Sequence, residues 1–382
     1  MKNLSLMILI LSIMTIMFCS KKSPEQKQEI NSTENEASEK NELTGKADKK
    51  PFTIENLGVI TGDMVNARME PQKTSTSGER LFKGNKVVFV KFVTGDDIDG
   101  NNNWALITSP YFYNELYVHS AFIKTGTAAQ EYLKNFSYDE QFNKLSEDFS
   151  AEQIQSIKNY HKAYHNIKSL EDFVAVYQQA ISLEKILSPV VQKKYDLLQT
   201  AGKTELNMAW IYNLLPGMSI GYEGEGTIAS FYIVNDTFAE KADITEHISD
   251  DTFVEILQAS YGPTIMRHRP LWFQYTWDYG GQSMLGTGIH LKILKMIDKA
   301  LKKDKTFEAE LNEIKASIIT DISETNNFYE DKTALNSEID KILKEIILTD
   351  EQKNAIQKKK GMINSDSKEL QINCKNNNCN FG

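Results

Sequence analysis

Two glutamates in the middle of the chain have a spacing that suits cleavage of a glycosidic bond. Glu223 and Glu225 occupy alternate positions in the run Tyr-Glu-Gly-Glu-Gly. Alternate residues of a β-strand point to the same face, and a pair of carboxyl groups performs the acid–base chemistry of most glycoside hydrolases. The same pattern is typical of a solvated hairpin tip. Two hypotheses therefore stay open here, a glycan-active enzyme and an ordinary turn.

A histidine pair gives a second chemical signal. His161 and His165 are four residues apart, so their side chains would share one face of a helix, as zinc ligands can. A metalloprotease helix carries a glutamate directly after its first histidine, whereas this chain has Lys162 there. We therefore predict that the protein binds no metal and no other cofactor.

The densest group of aromatic residues lies between positions 267 and 281, beside two arginines and a glycine pair. Aromatic rings next to arginine suit recognition of a glycan or a peptide. The same rings could instead fill the interface between two blocks of helices. Within this segment the predicted ligand-binding residues are Arg267, Trp272, Tyr275 and Trp277.

The three cysteines lie near the two ends of the chain, at Cys19, Cys374 and Cys379. Their positions exclude a cysteine nucleophile in the body of the protein. Outside the cytoplasm, two cysteines five positions apart can close a small loop. We predict a disulfide between Cys374 and Cys379 in a flexible tail over residues 362–382.

The N-terminal segment has the pattern of an export signal. A lysine precedes an uncharged apolar run over residues 4–18, which is short for a membrane span and ends abruptly at Ser20-Lys21-Lys22. The run leads into Met17-Phe18-Cys19, which resembles a bacterial lipoprotein signal. That resemblance implies a signal peptide over residues 1–18, acylation of Cys19 and a lipid anchor in a membrane of the cell envelope. An uncleaved N-terminal anchor is the alternative, and both place the protein outside the cytoplasm.

Residues 19–51 consist mainly of Lys, Glu, Asn, Ser and Gln, with almost no apolar side chain to bury. Such a composition does not offset the entropy of ordering the chain. We predict a disordered tether.

Residues 52–124 have the pattern of a small all-β domain. Short runs of β-branched and aromatic residues are separated by turn residues at close intervals. We expect strands near 57–61, 86–93 and 104–108, with loops near 70–78 and 95–101.

Several motifs in this segment, taken in order, resemble a bacterial SH3 domain. Asn66-Ala67-Arg68-Met69-Glu70-Pro71 follows the first strand, and a Leu-Gly-Val rhythm continues through residues 81–87, with Trp104 in a later strand and residues 117–124 in the closing one. The resemblance implies an SH3-like barrel that binds a wall peptide or a protein through its loops and aromatic edges. Candidate contacts are Arg68, Trp104, Tyr111, Phe112 and Tyr113. A brace for the loop is the alternative role for Arg68, and a core position is the alternative for Trp104.

Residues 125–361 have a mainly helical pattern. Capping boxes at Ser150 and Ser169 each begin a helix, and we expect the second helix to end near Pro189. A further helix is predicted near 205–215, and a short β-hairpin insertion near 219–234. Later apolar residues recur at helical spacing, as in Leu311, Ile314 and Ile318 and in Leu335, Ile339, Ile342 and Ile346.

The predicted fold class is therefore multidomain: a small all-β SH3-like barrel followed by a mainly α-helical domain with a short β-hairpin insertion. A formal net charge of −9 argues against a nucleic-acid partner. The predicted function is a lipid-anchored cell-envelope protein that binds a peptidoglycan or protein ligand without catalysis. The alternative is a peptidoglycan- or glycan-active enzyme that uses Glu223, Glu225 or the 267–281 segment.

Overall fold

A computed structural model describes residues 52–109, 111–203, 205–223, 226–262, 269–275 and 280–372. The side chains of Phe112, Tyr113 and Glu223 are not among the described groups. Several predictions lie outside the described residues: the signal peptide, the tether, Glu225 and the predicted sites at Cys19, Arg267, Trp277, Cys374 and Cys379.

The N-terminal part of the described chain is one curled antiparallel sheet of seven strands. Its strand order is β3-β2-β6-β5-β4-β1-β7. The curled sheet encloses a core of alternating inward residues that includes Ile60, Val87, Ile107 and Val118. The strands are β1 (Leu57–Ile60), β2 (Val65–Arg68), β3 (Ser77–Leu81), β4 (Lys86–Ile98), β5 (Asn101–Ser109), β6 (Phe112–His119) and β7 (Ile123–Thr125).

The prediction of a loop over residues 95–101 is wrong for most of that range. Strand β4 continues to Ile98 and pairs there with Asn101, so only Asp99 and Gly100 form the turn. Both turn residues have positive φ, 54° and 83°. An Asp-Gly pair adopts this left-handed geometry readily, and the resulting two-residue turn matches the twist of the paired strands.

The remainder of the described chain is mostly helical, so an all-β module ahead of a mainly helical region is confirmed. None of the described helices has the length and apolar character needed to cross a membrane. The capping boxes predicted at Ser150 and Ser169 are present. The helices are α1 (Gly126–Lys134), α2 (Asp139–Lys144), α3 (Ala151–His165), α4 (Leu170–Thr200), α5 (Asn235–Thr245), α6 (Ile248–Tyr261), α7 (Ile289–Lys303), α8 (Glu308–Glu324), α9 (Lys332–Glu345) and α10 (Asp350–Asn364).

Two small sheets accompany the helices. Strands β8 (Met218–Glu223) and β9 (Ile228–Ile233) form an antiparallel pair that packs against α4. A four-stranded sheet joins distant parts of the region in the order β10-β11-β12-β13. Its strands are β10 (Phe273–Tyr275), β11 (Gly281–Ser283), β12 (Asn327–Phe328) and β13 (Gln371–Ile372).

Two helix predictions need correction. Helix α4 does not end near Pro189 but runs through it to Thr200. The buried stripe continues past the proline, from Leu187 to Val191 and Tyr195, so packing outweighs the one backbone hydrogen bond that proline removes. The helix expected over 205–215 is instead a short 3₁₀ turn, Ala209–Asn213.

The sheet is fixed to the helical region through the turn between β3 and β4. Phe82 of this turn belongs to the helical core, and the Asn85 amide nitrogen donates to the Ala209 carbonyl at 2.9 Å. Gly84 has φ +88°, and a Cβ there would lie 2.6 Å from the Phe136 ring. Both the backbone conformation and the close approach therefore require glycine. All the described residues fall within one compact unit.

Candidate binding crevice

A narrow crevice lies where the sheet meets the helical region, with a volume of about 80 Å³. A space of this size suits a few water molecules or a compact group such as a carboxylate. We call it the interface crevice. Its lining consists of Phe52, Gly84, Lys86, Tyr111, Tyr138, Tyr164, His165, Tyr212, Asn213, Pro216, Thr237, Glu240 and Lys241.

The β module contributes Lys86, at the start of β4, and Tyr111, just before β6. The Tyr111 ring stacks on Tyr212, with centroids 5.0 Å apart and planes 15° apart. The Tyr111 carbonyl accepts a hydrogen bond from Ser219 Oγ at 3.2 Å. Burial raises the pKa of Tyr111, although a hydrogen bond to the Gly217 backbone opposes this shift. Tyr111, predicted from the sequence as a ligand contact, is thus held rigidly in the crevice wall.

The helical side of the crevice comes mainly from α3 and α5. Positions 237, 240 and 241 are three and four residues apart, so Thr237, Glu240 and Lys241 share one face of α5. The hydroxyl of Tyr164, on α3, donates to the Thr237 carbonyl at 3.1 Å. Lys241 Nζ lies 4.7 Å from the centroid of the Tyr164 ring. This cation–π contact holds the ammonium group at the crevice.

The charges in the crevice do not cancel. Burial lowers the pKa of Lys241, and the like charge of Lys86 lowers it further while Glu240 raises it. Glu240 Oε1 accepts the Phe52 backbone N–H at 3.2 Å. Desolvation, His161 and the two lysines lower the pKa of His165 to about 4, so this imidazole is neutral at pH 7. Two lysines and one glutamate leave a formal charge of +1.

His165 lines the crevice, and His161 lies on the same face of α3, as the spacing of the pair predicts. The rings of His161 and His165 are 4.6 Å apart between centroids, and Tyr138 packs against His161 at 4.7 Å. Burial lowers the pKa of His161, opposed by hydrogen bonds to the backbone at Leu214 and Asn213. Within the described chain no group of three potential metal ligands is found, so the pair has no third protein ligand there.

Arg68 and Trp104 do not line the crevice. Arg68 Nη1 donates to the Ser75 carbonyl at 2.5 Å and braces the loop after β2. The Trp104 side chain is 2% exposed, and its indole N–H donates to the Asp96 carbonyl at 2.9 Å. These positions favour the alternative roles, a brace for the loop at Arg68 and a core position at Trp104. The side chains of Phe112 and Tyr113, on β6, are not described.

The aromatic segment near β10 is divided between the interior and the surface. Trp272 is 3% exposed and packs against Tyr261 at 5.7 Å between ring centroids. Tyr275 is 47% exposed, and the Arg269 guanidinium lies 5.9 Å from its ring centroid. Trp272 therefore belongs to the core, whereas Tyr275 provides an accessible ring.

The Glu223 side chain and Glu225 lie outside the described residues, so the carboxyl pair stays a prediction. The structure identifies a carboxyl group that sequence reasoning missed, Glu79 on β3. Burial raises the pKa of Glu79 to about 7, opposed by a backbone hydrogen bond at Arg80 and reinforced by Glu205. Arg80 itself forms a salt bridge with Glu205 at 3.3 Å.

A serine, a histidine and an aspartate also meet inside the helical region, but not in a catalytic order. Asp321 Oδ2 accepts from Ser283 Oγ at 2.6 Å and lies 2.7 Å from His290 Nε2. In a nucleophilic triad the histidine stands between the serine and the acid. Here the carboxylate stands between them, and Ser283 and His290 are fully buried. This network stabilises the fold.

Comparison of the chain with known proteins gave no match: no family model, no curated protein and no solved structure is similar enough to it to assign a family or a function.

Proposed function

We propose that the chain is a lipid-anchored protein of the bacterial cell envelope, and that its SH3-like module binds a cell-wall or protein ligand at the interface crevice without catalysing a reaction. One observation carries the binding role. Aromatic rings and lysines from the module and from the helical region converge on a single narrow opening with a net positive charge. Aromatic and cationic groups together provide both contact area and attraction for an anionic ligand.

The curled sheet supports the SH3-like part of this proposal. Its strands are antiparallel and curl around one small core, as expected from the sequence resemblance. Tyr111 lies in the loop before β6, and loops at the rim of a small barrel commonly hold ligands. In this chain the helical region completes the site, because Tyr212 forms the other half of the ring stack.

The anchor part of the proposal depends on Cys19 and the apolar run before it. Several acyl chains on one cysteine would hold a protein durably at a membrane, at roughly 0.8 kcal/mol per buried methylene. Metabolic labelling with a palmitate analogue tests this directly. We expect label on the wild-type chain, and loss of both label and membrane association in Cys19→Ala. An unlabelled wild-type chain would contradict the lipid anchor.

The binding role is tested by co-sedimentation of the chain from Ser20 onward with purified peptidoglycan. We expect the wild type to pellet with the wall, and Tyr212→Leu to pellet less because the Tyr111 stack is lost. Tyr275→Leu is the matched control, since Tyr275 is exposed and outside the crevice. Equal pelleting of Tyr212→Leu and wild type, with loss in Tyr275→Leu, would move the site to the aromatic segment.

No wall binding by any form would contradict the proposal for peptidoglycan. The same samples should be assayed for soluble muropeptides. Their release by the wild-type chain would favour the alternative of a peptidoglycan-active enzyme.

A further inference from the structure

Two lysines line the interface crevice from different parts of the fold, Lys86 from β4 and Lys241 from α5, and Glu240 is the one carboxylate among the described lining residues. Lys86 Nζ lies 5.9 Å from the Phe52 ring centroid, and Lys241 Nζ lies 4.7 Å from that of Tyr164. Both side chains are half-buried, and the described salt bridges include neither of them. Two like charges in a partly desolvated space repel each other, and an anion between them would relieve that repulsion.

A wider groove elsewhere in the protein shows the contrast. It has a volume of about 440 Å³ and lies beside α7, α8 and the start of α10. Lys315 in that groove pairs with Asp298 at 2.5 Å, and Lys305 pairs with Glu308 at 2.6 Å. Each of these two lysines has a carboxylate oxygen within 2.6 Å, whereas no described salt bridge includes Lys86 or Lys241.

The other titratable groups in the crevice leave its positive charge in place. Glu240 balances one lysine, and its Oε1 already accepts the Phe52 N–H. His165 is neutral at pH 7. The tyrosine hydroxyls are protonated there, since burial raises the pKa values of Tyr111, Tyr138, Tyr164 and Tyr212. One unit of positive charge therefore stays available to a ligand.

From this arrangement we infer that the interface crevice binds the carboxylate of a peptide between Lys86 and Lys241. The small volume of about 80 Å³ suits a compact group such as a carboxylate, and the rest of the peptide lies outside the opening. The carboxylate can belong to a chain terminus or to an acidic side chain. The inference names the chemical group that the proposed binding site recognises. It rests on the proposed function only for the claim that the peptide comes from the cell envelope.

Three short peptides test the inference by NMR titration of the chain from Ser20 onward. They are acetyl-Ala-Ala with a free C-terminus, its C-terminal amide, and acetyl-Ala-Glu-Ala-amide. We expect the first peptide to bind at the crevice and the neutral amide to bind at least tenfold more weakly, because charged hydrogen bonds are the strong ones. Tighter binding of the glutamate peptide would assign the carboxylate to a side chain. Equal binding of the free acid and its amide would overturn the inference, as would binding of none of the three.

Substitutions separate the two lysines from the general charge of the protein. Lys86→Met and Lys241→Met should each weaken the binding peptide about tenfold, and Lys241→Arg should keep most of the affinity because it keeps the charge. Lys91→Met is the matched control, since Lys91 is exposed on β4 and outside the crevice. Unchanged affinity in both crevice variants would overturn the inference.

The two proposals fail separately. Wall binding without carboxylate dependence would leave the proposed function standing and remove the inference. Carboxylate binding without wall binding would remove the proposed wall-binding function and leave the inference standing.

Discussion

Asn85 holds the turn before β4 against the helical region, and its replacement tests how the crevice is assembled. The Asn85 side chain accepts from the Phe82 N–H at 2.8 Å and donates to the Ala209 carbonyl at 2.9 Å and to Asn213 Oδ1 at 3.1 Å. It is 3% exposed, so no bulk water replaces these partners. The next residue is Lys86, whose position depends on this turn.

Asn85→Ala removes all three hydrogen bonds. At about 1 kcal/mol for each, with a further cost for the buried groups left unpaired, we expect the free energy of unfolding to fall by about 3–4 kcal/mol. Asn85→Asp has almost the same shape and keeps the bond from Phe82. It loses both donors and places a negative charge beside two acceptors, so we expect it to destabilise the protein by a similar amount or more.

Urea denaturation followed by circular dichroism and by tryptophan fluorescence measures both variants. Trp104 contributes to the fluorescence from the sheet, and Trp210 and Trp272 contribute from the helical region. Asn159→Ala is the control, because Asn159 is exposed on α3, and its effect should stay within about 0.5 kcal/mol. A loss below about 1 kcal/mol in both Asn85 variants would refute the claim that this turn joins the two parts.

Two further predictions concern buried charges. Because burial raises the pKa of Glu79 to about 7 from 4.5, the native state keeps a proton that the unfolded state releases, and stability falls as pH rises through this window. In urea titrations, Glu79→Gln should therefore be more stable than wild type by about 1–3 kcal/mol at pH 8 and nearly equal to wild type at pH 4. The same stability difference at both pH values would contradict the raised pKa of Glu79. Lys315→Met leaves Asp298 buried without its ammonium partner and should cost about 3–5 kcal/mol, while adding Asp298→Leu should recover much of that loss. Thermal unfolding of the single and double variants checks this, and a double variant no more stable than the single one would count against a buried ion pair.

Local signals predicted much of the secondary structure. The capping boxes at Ser150 and Ser169 satisfy the first N–H groups of their helices through nearby side chains, so a few adjacent residues determine where each helix begins. The apolar stripes of α8 and α9 are buried as their spacing indicates, for example at Ile314 and Ile339. These features need no knowledge of distant contacts.

The failures arise where distant contacts decide the outcome. Pro189 looks like a helix end in isolation, yet α4 passes through it because its flanking side chains pack against β9. Two side chains of α4 also accept hydrogen bonds from the β9 backbone: Ser188 Oγ from the Phe231 N–H at 3.0 Å and Gln192 Oε1 from the Ala229 N–H at 2.7 Å. The sequence pattern near residue 189 carries no information about β9, which lies about forty residues later in the chain.

The interface crevice was beyond sequence reasoning for the same reason. The aromatic residues of its loop indicate Tyr111 as a contact, and the spacing of the histidine pair predicts a shared helix face. Lys86, Tyr212 and Lys241 come from three separate elements and have no distinctive spacing. Their proximity depends on the docking of the sheet against the helical region, to which the β3–β4 turn and Tyr111 both contribute.

Hydrogen–deuterium exchange of the chain from Ser20 onward, with and without soluble muropeptides, tests the central claim most directly. A ligand in the interface crevice should slow exchange around Lys86, around Tyr212 and on α5 near Lys241. Exchange around Tyr275 should not change. Slowed exchange confined to the segment around Tyr275, or no change anywhere at saturating ligand, would contradict a wall-binding site in the crevice.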